Sequence, residues 1–131
     1  MIGIDTSVLV RYLAQDDGKL SPVATKLIDA LTPLSPGFVT TVALIELVWV
    51  MQRRYGSTKQ EVIAMLERLV NNQAIFIERP LLVQEAVLIY SASNADFADC
   101  LLERCARAAG CVHTVTFDRR AAKIDGMQLL R

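Results

Sequence analysis

The stretch MIGIDTSVLVRYLAQD (Met1–Asp16) decides the fold. Its first residues, MIGID, form a short apolar run that reads as a strand. The residues that follow place Val8, Leu9, Tyr12 and Leu13 at helical spacing, so TSVLVRYLAQD reads as an amphipathic helix. A strand running directly into a helix is the opening of a β–α unit, and Asp5 sits at the junction.

The same pattern returns along the chain. GFVTT reads as a strand before the helix VALIELVWVMQRRYG, with Thr41 as its cap and Gly56 as its stop. AIFIE reads as a strand before PLLVQEAVLIY, which Pro80 opens. CVHTVTF reads as a strand before the short helical piece DRRAAKI, and MQLL as a last edge strand. Three further helices fill the intervals. SPVATKLIDAL opens with Ser21 as cap and Pro22 at the first helical position, TKQEVIAMLERLV carries a capping box from Thr58 to Glu61, and ADFADCLLERCARAAG is capped by Asn94 and closed by Gly110. Alternating strands and helices predict an α/β fold with a mostly parallel sheet and right-handed crossovers. No repeat, linker or low-complexity segment interrupts it, so residues 1–131 read as a single domain.

Bulk properties narrow the function. With 53% hydrophobic and 21% charged residues the chain is not intrinsically disordered. Lys plus Arg, 14, equals Asp plus Glu, 14, so nucleic-acid binding has to come from a local basic patch. A net charge of zero also favours association with a partner. Cys100, Cys105 and Cys111 form no C-x-x-C pair, which argues against a zinc site or disulfide scaffold and for a reducing cytoplasm. The N-terminus lacks a basic leader, and VALIELVWVM is broken by Glu46, so no signal peptide or membrane span is expected. Phosphate-cradling glycine loops are absent.

The acids carry the chemistry. Asp5 ends the first strand, Asp118 follows CVHTVTF, and Glu46 lies in the second turn of the helix after GFVTT. Loops after parallel strands gather along one sheet edge, where ligands bind, so these three are expected to approach one another. Asp96 and Asp99 lie three apart at the start of their helix, on one face, and join them if that helix starts at the same edge. Each has a plain alternative. Asp5, Asp96 and Asp118 can cap helices. Asp96, Asp99, Glu103 and Arg107 can form a solvated stripe opposite an apolar face of Phe97, Ala98, Leu101, Leu102, Cys105 and Ala108, with a Glu103–Arg107 salt bridge. Glu46, among Val42, Ala43, Trp49 and Val50, is expected to be shielded from water and to need a partner. Several carboxylates in one cleft repel and raise one another's pKa, and a divalent cation removes that cost. Oxygen ligands select Mg²⁺ or Mn²⁺, which points to phosphodiester hydrolysis.

The segments IDTSVLVRYL, TTVALIELVWV, ADFADCLLERCA and TVTFDRRAAK, taken in order, resemble the PIN-domain family, and within it the VapC-type toxins of bacterial toxin–antitoxin pairs. The resemblance implies a three-layer α/β/α sandwich and a metal-dependent endoribonuclease. It implies metal ligation by Asp5, Glu46 and Asp99, with Asp96 at the rim or binding through water and Asp118 completing the acidic pocket. Thr6 and Thr116 resemble hydroxyl positions that orient a carboxylate or water. The resemblance also implies a homodimer and a cognate antitoxin whose peptide lies in an apolar groove, supplied by SPVATKLIDALTPL and TTVALIELVWVMQ. Arg11, Arg119, Arg120 and Lys123, close behind Asp5 and Asp118, are the candidate contacts to RNA phosphates, against a reading as ordinary surface charges.

One departure stands out. Where the family motif continues as DALIAA, this chain reads DCLLER, and Glu103 either adds a carboxylate or crowds the cleft. His113, the only histidine, reads as a core or sheet-face residue, Trp49 as core with base stacking as the alternative, and the cysteines as small core residues. The competing readings are a catalytically silent PIN-fold interaction module and, more remotely, a phosphotransfer domain with Asp5 as nucleophile. Ser7 stands where the latter usually has a second Asp.

Overall fold

The computed structural model describes residues 1–131. It divides into two compact units, Met1–Glu78 and Arg79–Arg131.

The first unit contains β1 (Ile2–Gly3), α1 (Thr6–Ala14), α2 (Leu20–Asp29), β2 (Gly37–Val39), α3 (Thr41–Tyr55), α4 (Lys59–Asn71) and β3 (Ile75–Ile77). The strands pair in the order β1–β2–β3, all parallel, with Gly3 opposite Phe38 and Phe38 opposite Phe76. Pairing runs past the strand ends, since Ile4 N–H donates to the Phe38 carbonyl and Glu78 N–H to the Val39 carbonyl, both at 2.9 Å. Parallel strands need crossovers, and the helical segments between them supply these. Leu9, Val39, Leu44, Leu47, Val62 and Leu66 are fully buried. At Gly37 a Cβ would meet the end of the Ile4 side chain and press on Leu31, so a larger residue there requires those buried neighbours to shift.

Local chemistry sets the helix ends. Asp5 caps α1, the Thr40 hydroxyl caps α3 through Ala43 N–H, and Gly56 stops α3 in the left-handed region at φ 63°. The capping box Thr58–Glu61 forms as expected. Two sequence expectations shift by a residue or two. Thr40, not Thr41, caps α3, and α2 starts at Leu20 rather than after Ser21. Asp17 Oδ1 accepts from Lys19 and Leu20 N–H, which opens α2 early and leaves Ser21 free to donate to the Arg11 carbonyl at 2.8 Å.

The second unit contains α5 (Pro80–Ala92), α6 (Phe97–Ala108), β4 (Thr114–Thr116), a 3-10 turn (Ala121–Lys123) and β5 (Met127–Leu129). β4 and β5 pair parallel, with Val115 opposite Gln128. α5 and α6 form a helical hairpin in which the Tyr90 and Phe97 rings meet edge to face, centroids 5.9 Å apart. The α/β class and the parallel pairing are as the sequence predicts, in one three-stranded and one two-stranded sheet.

The face that α6 buries differs from expectation. Phe97, Cys100, Leu101 and Glu103 are buried, whereas Ala98, Leu102 and Ala108 are exposed. The reason is Glu103, only 2% exposed, which forms ion pairs with Arg104 Nη2 at 2.6 Å and Arg107 Nε at 3.1 Å. Paired and hydrogen-bonded, a carboxylate tolerates burial that it would not tolerate alone. The expected Glu103–Arg107 bridge is thus present, with the Glu103 carboxylate buried and Arg107 half-exposed. Of the cysteines only Cys100 is buried; Cys105 is intermediate and Cys111 exposed. His113 precedes β4 and is exposed, because the strand is shorter than CVHTVTF suggested.

Candidate metal centre

In the first unit, three parallel strands end side by side, each followed by a polar residue at the same sheet edge. β1 delivers Asp5, β2 delivers Thr40 and the start of α3, and β3 delivers Glu78. Asp5 is exposed, and its Oδ2 accepts from the Ser7 hydroxyl at 2.7 Å and from Ser7 N–H at 3.3 Å. These bonds, the hydroxyl's first, hold its carboxyl below the usual aspartate pKa. Capping uses one carboxylate oxygen and leaves the other, so capping and metal ligation are not exclusive. Ser7 was passed over at the sequence level; its signal is the spacing of two from Asp5 at a helix start.

Thr6 departs from its expected role. It is buried, and its hydroxyl donates to the Ala43 carbonyl at 3.1 Å rather than orienting a carboxylate or water. The bond ties the first turn of α1 to the first turn of α3, and so fixes the helix that carries Glu46 against the strand end that carries Asp5. Glu78, a second residue missed in the sequence, accepts from Thr41 N–H at 2.7 Å and satisfies another open donor of α3.

Glu46 is exposed, which corrects the expectation that it is shielded. The apolar residues flanking it on α3 are exposed as well, Val42 by 77% and Trp49 by 58%. α3 buries its other face through Ala43, Leu44, Leu47 and Val48. Glu46 makes no ion pair, so its carboxylate is open to a cation.

In the second unit, Asp96, Asp99, Asp118 and Arg120 lie within one electrostatic neighbourhood. The half-buried Asp99 carboxyl is pushed up from 3.8 by its burial, then by the negative charges of Asp96 and Asp118, and eased down by Arg120. Asp96, not Asn94, holds the cap position of α6, yet its side chain makes no capping bond. Its carboxylate is therefore left exposed beside Asp99. Asp118 Oδ1 accepts from Arg120 N–H at 2.8 Å and Ala121 N–H at 3.2 Å, capping the 3-10 turn. Those backbone bonds, Ala121's first, hold its carboxyl low. Thr116 Oγ1 accepts from Asp118 N–H at 3.0 Å, steadying the backbone of that acid.

Within neither unit do three His, Cys, Asp or Glu side chains gather into a ready cation site. The donors nonetheless suit a hard divalent ion. All are carboxylates, and the like charges around Asp99 create the strain that such an ion relieves. Among the basic candidates, Arg11 pairs with Asp16 at 3.3 Å, Arg120 neighbours Asp99 and Asp118, and Arg119 and Lys123 are exposed.

Residues 2–127 match the PIN domain family. The chain belongs to the PIN domain family. It is 26% identical over 121 residues to a VapC ribonuclease of Aquifex aeolicus (strain VF5), covering 92% of this chain and 90% of that protein. Among solved structures it is similar to VapC20 of Mycobacterium tuberculosis, described as a sarcin–ricin loop cleaving toxin, with 20% identity, coverage of 96% of each chain and a TM-score of 0.47.

Proposed function

We propose that this protein is a divalent-metal-dependent endoribonuclease, the toxin of a VapBC-type toxin–antitoxin pair. The observation that carries the reading is Asp99, half-buried at the start of α6 with its carboxyl raised beside Asp96 and Asp118, in a chain that matches the PIN family nearly end to end. The family match spans both compact units, which supports their acting together as one PIN domain. The similarity to a VapC ribonuclease over 92% of the chain supports RNA as the substrate.

Asp5, Glu46 and Asp99 would hold the metal, with Asp96 at the rim or acting through water and Asp118 completing the acidic set. The chemistry that Mg²⁺ or Mn²⁺ supplies when bound by such oxygen ligands is activation of a water and stabilisation of charge on the phosphate under attack. Ser7 orients Asp5 and lowers its pKa. Thr116 and the 3-10 turn hold Asp118 in place. Arg120, Arg119 and Lys123 supply positive charge for the RNA backbone.

A groove of about 360 Å³ between α1 and α2, lined by Val8, Leu20, Val23, Ala24 and Leu27 with Arg11 at its margin, suits the apolar face of an antitoxin helix. Exposed apolar residues and zero net charge favour a homodimer. Three free cysteines fit a reducing cytoplasm, and no helix is long and apolar enough to cross a membrane.

The test is cleavage of a mixed RNA pool by partner-free protein with Mg²⁺, with Mn²⁺ and with EDTA, beside Asp5→Ala and Asp99→Ala. Metal-dependent cutting that both substitutions abolish is expected. A folded wild type that neither cuts nor binds metal by calorimetry would make the chain a silent interaction module.

A further inference from the structure

The turn that follows β4 holds an arginine beside carboxylates without pairing it to any of them. Asp118 turns its Oδ1 back to the main chain, where it accepts from Arg120 N–H at 2.8 Å and Ala121 N–H at 3.2 Å. The Arg120 carbonyl accepts from Lys123 N–H at 3.2 Å, and Ala121 next to it is fully buried. The Arg120 backbone is therefore fixed at both its N–H and its carbonyl. The residue itself is exposed, and its guanidinium makes no ion pair. The arginines of α6 are committed otherwise, Arg104 to Glu103 and Glu85, and Arg107 to Glu103. The Arg120 charge still reaches Asp99 and Asp118. A fixed backbone with an open guanidinium fork suits an arginine to a phosphate.

We propose that Arg120 couples RNA binding to metal binding: its guanidinium opposes a divalent cation at Asp99 until a phosphate of the RNA lies between them. The inference rests on the metal-dependent ribonuclease reading and assigns the phosphate contact at the acids to one residue. Two cations drawn by the same carboxylates repel each other, so before RNA binds Arg120 lowers the affinity of the acids for Mg²⁺. A phosphate brings negative charge to both. It accepts from the guanidinium fork, a charge-assisted bond, and cancels the repulsion. The chain then binds Mg²⁺ more tightly with RNA than without it, and RNA more tightly with Mg²⁺ than without it, since such coupling is reciprocal. A lysine keeps the charge and loses the fork. A counter-ion that served the acids alone would oppose Mg²⁺ and leave RNA affinity untouched.

Mg²⁺ is titrated into the RNA-free full chain by calorimetry, for the wild type, Arg120→Gln and Arg120→Lys. Arg120→Gln is expected to bind Mg²⁺ about threefold more tightly, the effect of removing one surface charge near a divalent ion. Arg120→Lys is expected to bind it as the wild type does. Steady-state cleavage of one labelled RNA that the pool shows to be cut, at saturating Mg²⁺ and over a range of salt, separates KM from kcat. Arg120→Gln is expected to raise KM about tenfold. It is also expected to reduce the slope of log KM against log salt by about 0.7, one phosphate contact on a single strand. Arg120→Lys is expected to keep the slope and to hold KM within about threefold of the wild type. Circular dichroism establishes that the variants are folded. Mg²⁺ affinity unchanged or weakened in Arg120→Gln would overturn the proposal. So would tighter Mg²⁺ binding with an unchanged KM and salt slope, which would leave Arg120 a counter-ion of the acids. Cutting by the wild type with no response to Arg120→Gln overturns the coupling alone, whereas a folded wild type that does not cut overturns the ribonuclease reading and the coupling with it.

Discussion

The Ser7 hydroxyl donates to Asp5 Oδ2 at 2.7 Å, so the carboxylate that ends β1 is oriented, and its pKa lowered, by the residue two positions on. Removing that hydroxyl lets the Asp5 pKa rise toward 3.8, its ordinary value. Asp99, raised above 3.8, sets the acidic limb of activity, so the loss of Ser7 acts through the orientation of Asp5. Ser7→Ala is therefore expected to lower cleavage about tenfold, as loss of a supporting bond to a metal ligand does, and Ser7→Thr to retain most of it. Cleavage rate as a function of Mg²⁺ concentration is the check; an unchanged rate and Mg²⁺ dependence would disconnect Ser7 from the reaction.

Asp99 shows the opposite sign. Burial and the charges of Asp96 and Asp118 raise its pKa in the fold, so ionising it destabilises the metal-free protein. That cost is complete at neutral pH and disappears as pH falls through the raised value and below 3.8. Asp99→Asn is expected to abolish cleavage yet raise the Tm of the metal-free chain at pH 7, with the gain shrinking as pH falls toward 3.8. Differential scanning calorimetry across that range decides it. Added Mg²⁺ is expected to stabilise the wild type and not the variant.

Gly126 and Glu103 form a packing pair. Gly126 adopts φ +94°, and a Cβ there would strike Glu103 Oε2 and lie 2.6 Å from Arg107 Nη2. Gly126→Ala is expected to cost at least about 2 kcal/mol, from left-handed strain and overlap together. Glu103→Ala, which takes the buried carboxylate from Arg104 and Arg107 while leaving Arg104 its Glu85 partner, is expected to cost about 1–3 kcal/mol. Urea denaturation measures both. A Glu103→Ala loss below about 1 kcal/mol would show that the cluster is not what holds this part of the fold.

The Thr6–Ala43 bond joins the starts of α1 and α3. Thr6→Val keeps the shape and removes the bond, with an expected loss of about 1 kcal/mol and a fall in cleavage rate, since Asp5 and Glu46 lose their common brace. Thr6→Ser is expected to restore both. Equal cleavage by the valine variant would limit Thr6 to stability.

Much of the fold was written in local sequence. The run MIGID before an apolar-periodic helix, the Thr58–Glu61 box, Gly56, and Pro80 at the head of α5 each depend on residues within one turn of one another. Periodicity and capping are local, so they are legible without the fold. The acid positions were legible for the same reason: Asp5 and Asp118 follow strands, and Asp96 and Asp99 open a helix. Which side of a helix turns inward is a different kind of fact. The apolar residues around Glu46 suggested burial, but α3 packs its Leu44–Leu47–Val48 side and leaves Val42, Glu46 and Trp49 in water. An almost uniformly apolar helix carries no stripe from which to read that choice. Glu103 failed the opposite way, a charge placed outside by its polarity and taken inside by Arg104 and Arg107. The sequence by itself determined the class of fold, the order of its elements and the set of acids. Only tertiary packing decided which charges are paired, which are buried and that Trp49 stays exposed, because those depend on neighbours distant in the chain.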